Sequence, residues 1–136
     1  MKRMRQNHDS PSASGGGFTL IELVVVMAIL GMLLALALPR YMHSVDRSRE
    51  VALKQDLSVM REAIDKFFGD QAKYPDTLEE LVAKRYLRRI PADPITDSAA
   101  TWVALPPPSS AMPGRVYDVK SGAEGKARDG SSFSEW

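Results

Sequence analysis

An α+β fold is predicted, built on one long N-terminal helix with a small antiparallel sheet, and three observations predict it. Residues 18–38, FTLIELVVVMAILGMLLALAL, are apolar or small apart from Thr19 and Glu22. Apolar residues then recur at helical steps through 40–70, with charges on the other faces. The remainder holds short β-prone runs separated by proline and glycine.

In chain order, residues 1–14 are polar and Ser-rich with Pro11, which reads as a disordered leader. The run 18–38 comes next. An apolar helix of about 20 residues is long enough to cross the hydrocarbon of a bilayer. A carboxylate in such a segment is costly and marks function by default, which singles out Glu22. Pro39 follows. Inside a helix it removes one hydrogen bond and crowds the preceding turn, so a kinked but continuous helix is expected there.

The helical pattern resumes at once. Val45, Leu53, Leu57, Met60, Ile64, Phe67 and Phe68 form the expected buried stripe. Glu50 with Lys54, and Glu62 with Lys66, are acid-before-base pairs at i, i+4. Gly69 is the expected stop. Tyr74-Pro75 opens a turn, and Thr77 with Glu80 fits a capping box. A short helix through about Lys84 should turn Leu78, Leu81 and Val82 inward. Pro91 and Pro94 block regular helix in YLRRIPADP, residues 86–94. TWVAL (101–105) reads as a strand, PPPSSAMPG (106–114) as a turn-rich connection and RVYDVKS (115–121) as a second β-prone run. The polar, glycine-rich loop 122–132 and FSEW close the chain. Two or three short strands laid on the long helix are expected, and the helix must supply much of the core.

Composition narrows the function. The chain has 136 residues and a net charge of +1, enough for one small domain plus an anchor. Lys2, Arg3 and Arg5 precede the apolar run, a short basic patch that reads as an orientation signal and not as a nucleic-acid footprint. The N-terminus should stay cytoplasmic and the rest should cross the membrane. There is no cysteine, so neither a disulfide, a thiol catalyst nor a cysteine metal site is available. His8 lies in the leader and His43 stands alone beside the anchor. Ser109-Ser110 and Ser131-Ser132 have no nearby base, and no phosphate loop follows a strand. No catalytic constellation is present, and the chain is not expected to be an enzyme.

The small residues Ser14 to Gly17 lie before the apolar run, whereas a secretory cleavage site follows it. With GFTLIEL immediately after them, the segment resembles the processing signal of type IV pilins and type II secretion pseudopilins. That resemblance implies a cut by a prepilin peptidase between Gly17 and Phe18, and N-methylation of Phe18. It makes Glu22 the fifth residue of the product and the assembly acid. Pro39 stands where the family implies a bend. The order of motifs across 74–94 resembles the general secretion pathway G subunit, the major pseudopilin.

The resemblance covers residues 15–136 and implies three parts. These are a cleaved leader (1–17), a transmembrane assembly helix (18–39) and a periplasmic head (40–136). The head would comprise the amphipathic helix 40–70, the loop 71–100 and the sheet with its C-terminal loop, 101–136. The same resemblance implies a calcium site whose ligands map onto the Ser121 carbonyl, Glu124 and Asp129. The sequence departs from the family there: Glu124 stands where an aspartate is usual, and Gly130 where a second acid is usual.

The implied function is structural. Subunits would wait in the inner membrane as single-pass proteins with periplasmic heads, then polymerise helically into a pseudopilus that drives folded proteins across the outer membrane. Implied partners are other copies of the chain, the prepilin peptidase, minor pseudopilins, the inner-membrane assembly platform with its secretion ATPase, and the outer-membrane secretin. The alternatives are a type IV pilin, a minor pseudopilin, or a periplasmic binding protein held by an uncleaved signal anchor.

Overall fold

The structure is a computed structural model and describes residues 1–4 and 15–136. Most of the leader expected over 1–17 therefore lies outside the described residues. The chain divides into two compact units, Met1–Pro39 and Arg40–Trp136. The helix α1 runs over Leu20–Gln71 and keeps Pro39 inside it.

In the first unit the side chains from Phe18 to Leu38 are all exposed. A stretch of α1 with mean hydropathy 2.8 is long and apolar enough to cross a membrane, and none of it is buried within the chain. Such a surface is stable only against lipid or against other apolar chains.

The second unit holds the core. Its spine is the stripe Leu53, Leu57, Met60, Ala63, Ile64 and Phe67 of α1. Each of these positions has another three or four residues away, so one face of the helix carries them all. Burying each large member stabilises the fold by about 1.5–3 kcal/mol. Two ends of the expected stripe differ. Val45 is only half-buried and Phe68 is exposed, because the covering elements reach neither position fully. Phe68 instead stacks on Tyr74, with ring centroids 4.4 Å apart.

The helix also outruns Gly69 and ends two residues later. Ala72, with φ 54°, takes the left-handed position, and its N–H donates to the Phe68 carbonyl at 2.9 Å. Of the two expected ion pairs, Lys66 and Glu62 meet at 3.1 Å. Glu50 and Lys54 do not, because tertiary partners claim both. The Glu50 carboxylate accepts the Arg128 N–H at 2.8 Å, and the Lys54 ammonium sits 4.4 Å from the centre of the Trp136 ring.

The short helix α2 spans Leu78–Ala83. Thr77 caps it, its hydroxyl accepting the Glu80 N–H at 3.3 Å. The Glu80 carboxylate reaches one residue further back than in a standard capping box, to the Asp76 N–H at 2.7 Å. Leu78 and Leu81 are buried, and Val82 packs partly against them.

Among the described residues the sheet has two strands, β1 (Trp102–Leu105) and β2 (Asp118–Ser121), paired antiparallel with Trp102 opposite Ser121 and Leu105 opposite Asp118. Both are shorter than the β-prone runs that contain them. The connection between them is tied to the turn at Tyr74-Pro75 instead. The Tyr74 N–H donates to the Pro113 carbonyl at 2.9 Å, and the Val116 N–H to the Pro75 carbonyl at 2.9 Å. Gly114, with φ 107°, is pressed so closely there that a Cβ would stand 2.2 Å from the Tyr74 oxygen. Trp102, Val116, Val119 and Phe133 complete the core over the α1 stripe.

Arg61 fastens the sheet to α1. Its Nε donates to Asp118 Oδ1 at 2.8 Å, and Nη2 donates to the carbonyls of Val119 at 3.0 Å and Trp136 at 2.9 Å. A planar guanidinium can serve three acceptors at fixed angles; lysine cannot.

Candidate assembly site

The tip of α1 brings together the first group of residues marked in the sequence. Gly15, Gly16 and Gly17 have open space around them, and Phe18 is exposed. Uncrowded glycines before an exposed aromatic leave this peptide open to solvent. Thr19 ends the coil, and its carbonyl accepts the Leu23 N–H at 3.1 Å. Glu22 lies in the first turn of α1.

Glu22 is bound into a reciprocal cap with Thr19. The Thr19 hydroxyl accepts the Glu22 N–H at 3.2 Å, and Glu22 Oε2 accepts the Thr19 N–H at 3.3 Å. This is a capping box. The helix dipole adds to it, because the first turn carries partial positive charge. A negative group is thus held at the start of the apolar run, four residues beyond Phe18.

The second group, Ser121, Glu124 and Asp129, lies at the other end of the chain. Ser121 is buried, while Glu124 and Asp129 are exposed. Gly125 and Gly130, at φ 102° and 87°, turn the loop back on itself. The Ala127 N–H then donates to the Ser131 carbonyl at 2.7 Å. Asp129 Oδ1 accepts the Ser131 N–H at 2.9 Å and the Ser131 hydroxyl at 2.5 Å. These bonds, the hydroxyl first, hold the Asp129 carboxyl below the usual aspartate range. No cluster of three or more His, Asp or Glu side chains that could hold a metal occurs among the described residues. The acids present would need main-chain and solvent oxygens to complete a calcium shell.

Pattern along the chain does not single out Asp93. It is fully buried, and its Oδ2 accepts the Ser121 hydroxyl. Its Oδ1 accepts the Ile95 N–H at 2.8 Å. The turn after Pro91 is thereby locked to the end of β2. The Asp-Pro pair is the available signal, since an aspartate before proline favours such turns. Its tie to Ser121, 28 positions on, is not visible locally.

Asp56 of α1 faces this group. Burial first, and then the Asp93 charge, push its carboxyl above the usual range. A raised acid is destabilising when ionised. That penalty is complete above the raised folded value and vanishes as pH falls below the ordinary value near 3.8. Thermal melts of Asp56→Asn beside the parent should show this. The variant is the more stable near pH 7, and the gap closes on acidification towards pH 4. A gap that widens in acid contradicts the assignment.

Comparison with known proteins shows the family. A family profile described as "Prokaryotic N-terminal methylation motif" matches residues 14–38. The type II secretion system core protein G of Pseudomonas aeruginosa is 31% identical over 137 residues, covering 88% of this chain and 94% of that protein. The chain belongs to the type II secretion system core protein G family. The core protein G of Vibrio cholerae is 30% identical, with 69% of each chain covered. The type IV major pilin protein PilA of Myxococcus xanthus is 32% identical over 71% of this chain and 46% of its own length. No solved structure matches the chain. As a core protein G, the chain is a pilin-like structural subunit of a type II secretion system.

Proposed function

We propose that this pseudopilin is cut between Gly17 and Phe18, N-methylated on Phe18, and polymerised into a helical fibre in the periplasm. The observation that carries the reading is the wholly exposed apolar surface of 18–38 with one carboxylate at its tip. Before assembly, lipid covers that surface, with the N-terminus cytoplasmic and the head periplasmic. In the fibre, neighbouring α1 helices cover it. The contact is heterologous, one face against a different face, so it propagates without closing. Trimming creates an ammonium at Phe18, and Glu22 of a neighbour is the acid that pairs with it. Pro39 lets the helix bend where the apolar run gives way to the amphipathic one.

Partners follow from this reading. A prepilin peptidase trims the chain, and an inner-membrane platform driven by a secretion ATPase extracts it. Minor pseudopilins start the fibre, and the outer-membrane secretin is the channel through which it pushes folded proteins. Intact-mass analysis of the protein from a host with an active peptidase tests the first step. A product beginning at Phe18 with one added methyl group is expected. A full-length mass from such cells overturns it and favours a signal-anchored protein.

The reading also includes calcium in the loop 121–130, with Glu124, Asp129 and the Ser121 carbonyl as protein donors. The support is the exposure of Glu124 and Asp129 in a loop that Gly125 and Gly130 turn back on itself. Removing calcium with EDTA should lower the melting temperature of the second unit, and adding calcium should restore it. An unchanged melting temperature eliminates the site.

A further inference from the structure

We propose that two differently charged places on the second unit meet between copies of the chain: Lys126 and Arg128 of one copy enter the acid-rimmed groove beside α2 of the next. The inference rests on the fibre proposed above and adds a contact between heads to it. The groove has a volume of about 270 Å³. Leu78, Ile90, Ala104 and Val116 give it an apolar floor, and Asp76 and Glu79 stand exposed beside them. No lysine or arginine lines it. The carboxylates of Asp76 and Glu79 form no ion pair among the described residues, unlike that of Glu80, which has the Lys84 ammonium at 3.8 Å. An apolar floor edged by free acids suits a long basic side chain, which lays its methylenes on the floor and its charge against the carboxylates.

The same unit carries such side chains elsewhere. Arg49, Lys126 and Arg128 surround a second cavity, of about 300 Å³, that shares no lining residue with the groove. Lys126 and Arg128 are exposed on the loop that Gly125 and Gly130 turn. Asp46 and Glu50 line this cavity too, yet none of the three cations forms an ion pair among the described residues. Glu50 accepts the Arg128 main-chain N–H instead, which leaves the guanidinium free to reach outward. Each copy thus presents a basic projection and an acid-edged groove at different places. That is the arrangement a heterologous contact needs, since one surface then meets a different surface on the next copy and the contact repeats. Opposite charges also set the register in which two heads approach.

The test uses the full chain in a host that processes and assembles it, with subunit level and the methylated Phe18 product as controls. Lys126→Glu with Arg128→Glu sets acids against acids across the contact and should lower fibre yield about tenfold or more, because like charges facing each other repel. Asp76→Lys with Glu79→Lys should do the same. All four changes together restore opposite signs and should bring the yield back. Normal yield from either pair, as expected if the groove serves another partner, overturns the inference, and so does a combination that does not recover. Absence of fibres from the parent chain defeats the assembly reading and this contact with it, whereas normal fibres from the reversed pairs defeat the contact alone. A second measurement leaves most of the charges in place. The chain has no cysteine. Glu79→Cys with Lys126→Cys keeps Asp76 and Arg128 and should give a ladder of disulfide-linked subunits in oxidised fibres, while each single change gives none. A double variant without the ladder also overturns the inference.

Discussion

Glu22→Leu is expected to leave trimming and membrane insertion intact and to abolish the fibre. The substitution makes the apolar run more apolar, so insertion is not impaired. It keeps Gly17 and Phe18, so the peptide that is cut is unchanged. The loss falls on assembly. A Phe18 ammonium packed among neighbouring apolar helices would have no acid to face. Breaking one partner of a buried ion pair costs about 3–5 kcal/mol, because the other charge is left uncompensated. At about 1.4 kcal/mol per tenfold, each contact weakens by about 10² to 10⁴. A helical fibre repeats the contact at every subunit, so the deficit recurs along its length. Sheared-fibre yield and electron microscopy measure it, with membrane level and intact mass as controls. Wild-type fibre yield would refute the assembly role of Glu22.

Asp93→Ala is expected to destabilise the second unit strongly. Asp93 is fully buried, and its carboxylate accepts the Ser121 hydroxyl, the Ile95 N–H at 2.8 Å and the Thr96 N–H at 3.4 Å. Alanine leaves those donors without an acceptor. Each buried donor left unsatisfied costs about 1–3 kcal/mol. With partial relaxation, a total on the order of 3 kcal/mol is expected, a large share of the stability of a small domain. The Ser121 hydroxyl also accepts the Ala123 N–H at 3.1 Å, so losing Asp93 loosens the start of the C-terminal loop. Asp93→Asn keeps one carbonyl oxygen to accept the Ile95 N–H and should fall between alanine and the parent. Urea unfolding of a fragment covering residues 40–136 measures all three proteins. Equal midpoints for Asp93→Ala and the parent would remove Asp93 from its place in the fold.

The two substitutions probe parts of the chain that differ in how far they can be read locally. Glu22 stands out at once, because a charge in an apolar run needs no tertiary context to be anomalous. Its partner Thr19 sits three residues away, within the reach of a capping pattern, yet the length of the apolar run is the stronger signal there. Asp93 belongs to an Asp-Pro pair, a local turn signal, but its hydrogen bond to Ser121 joins residues far apart in sequence. The same limit explains Glu50 and Lys54. Their i, i+4 spacing favours a pair, but Arg128 and Trp136 from the far end of the chain take them.

By itself the sequence determined the elements whose causes are local. These are the apolar length of 18–38, the stripe from Leu53 to Phe67, the capped helix after Thr77, and the α+β class. Periodicity, length and capping act within one or two turns, so they survive without knowledge of neighbours. Only the tertiary structure decided where α1 stops, how short the strands are, and how Asp93 and Arg61 hold the loops and sheet in place. Those outcomes depend on which distant groups meet. A buried polar group takes whichever acceptor or donor the packing brings within hydrogen-bond distance, and no pattern along the chain encodes that distance.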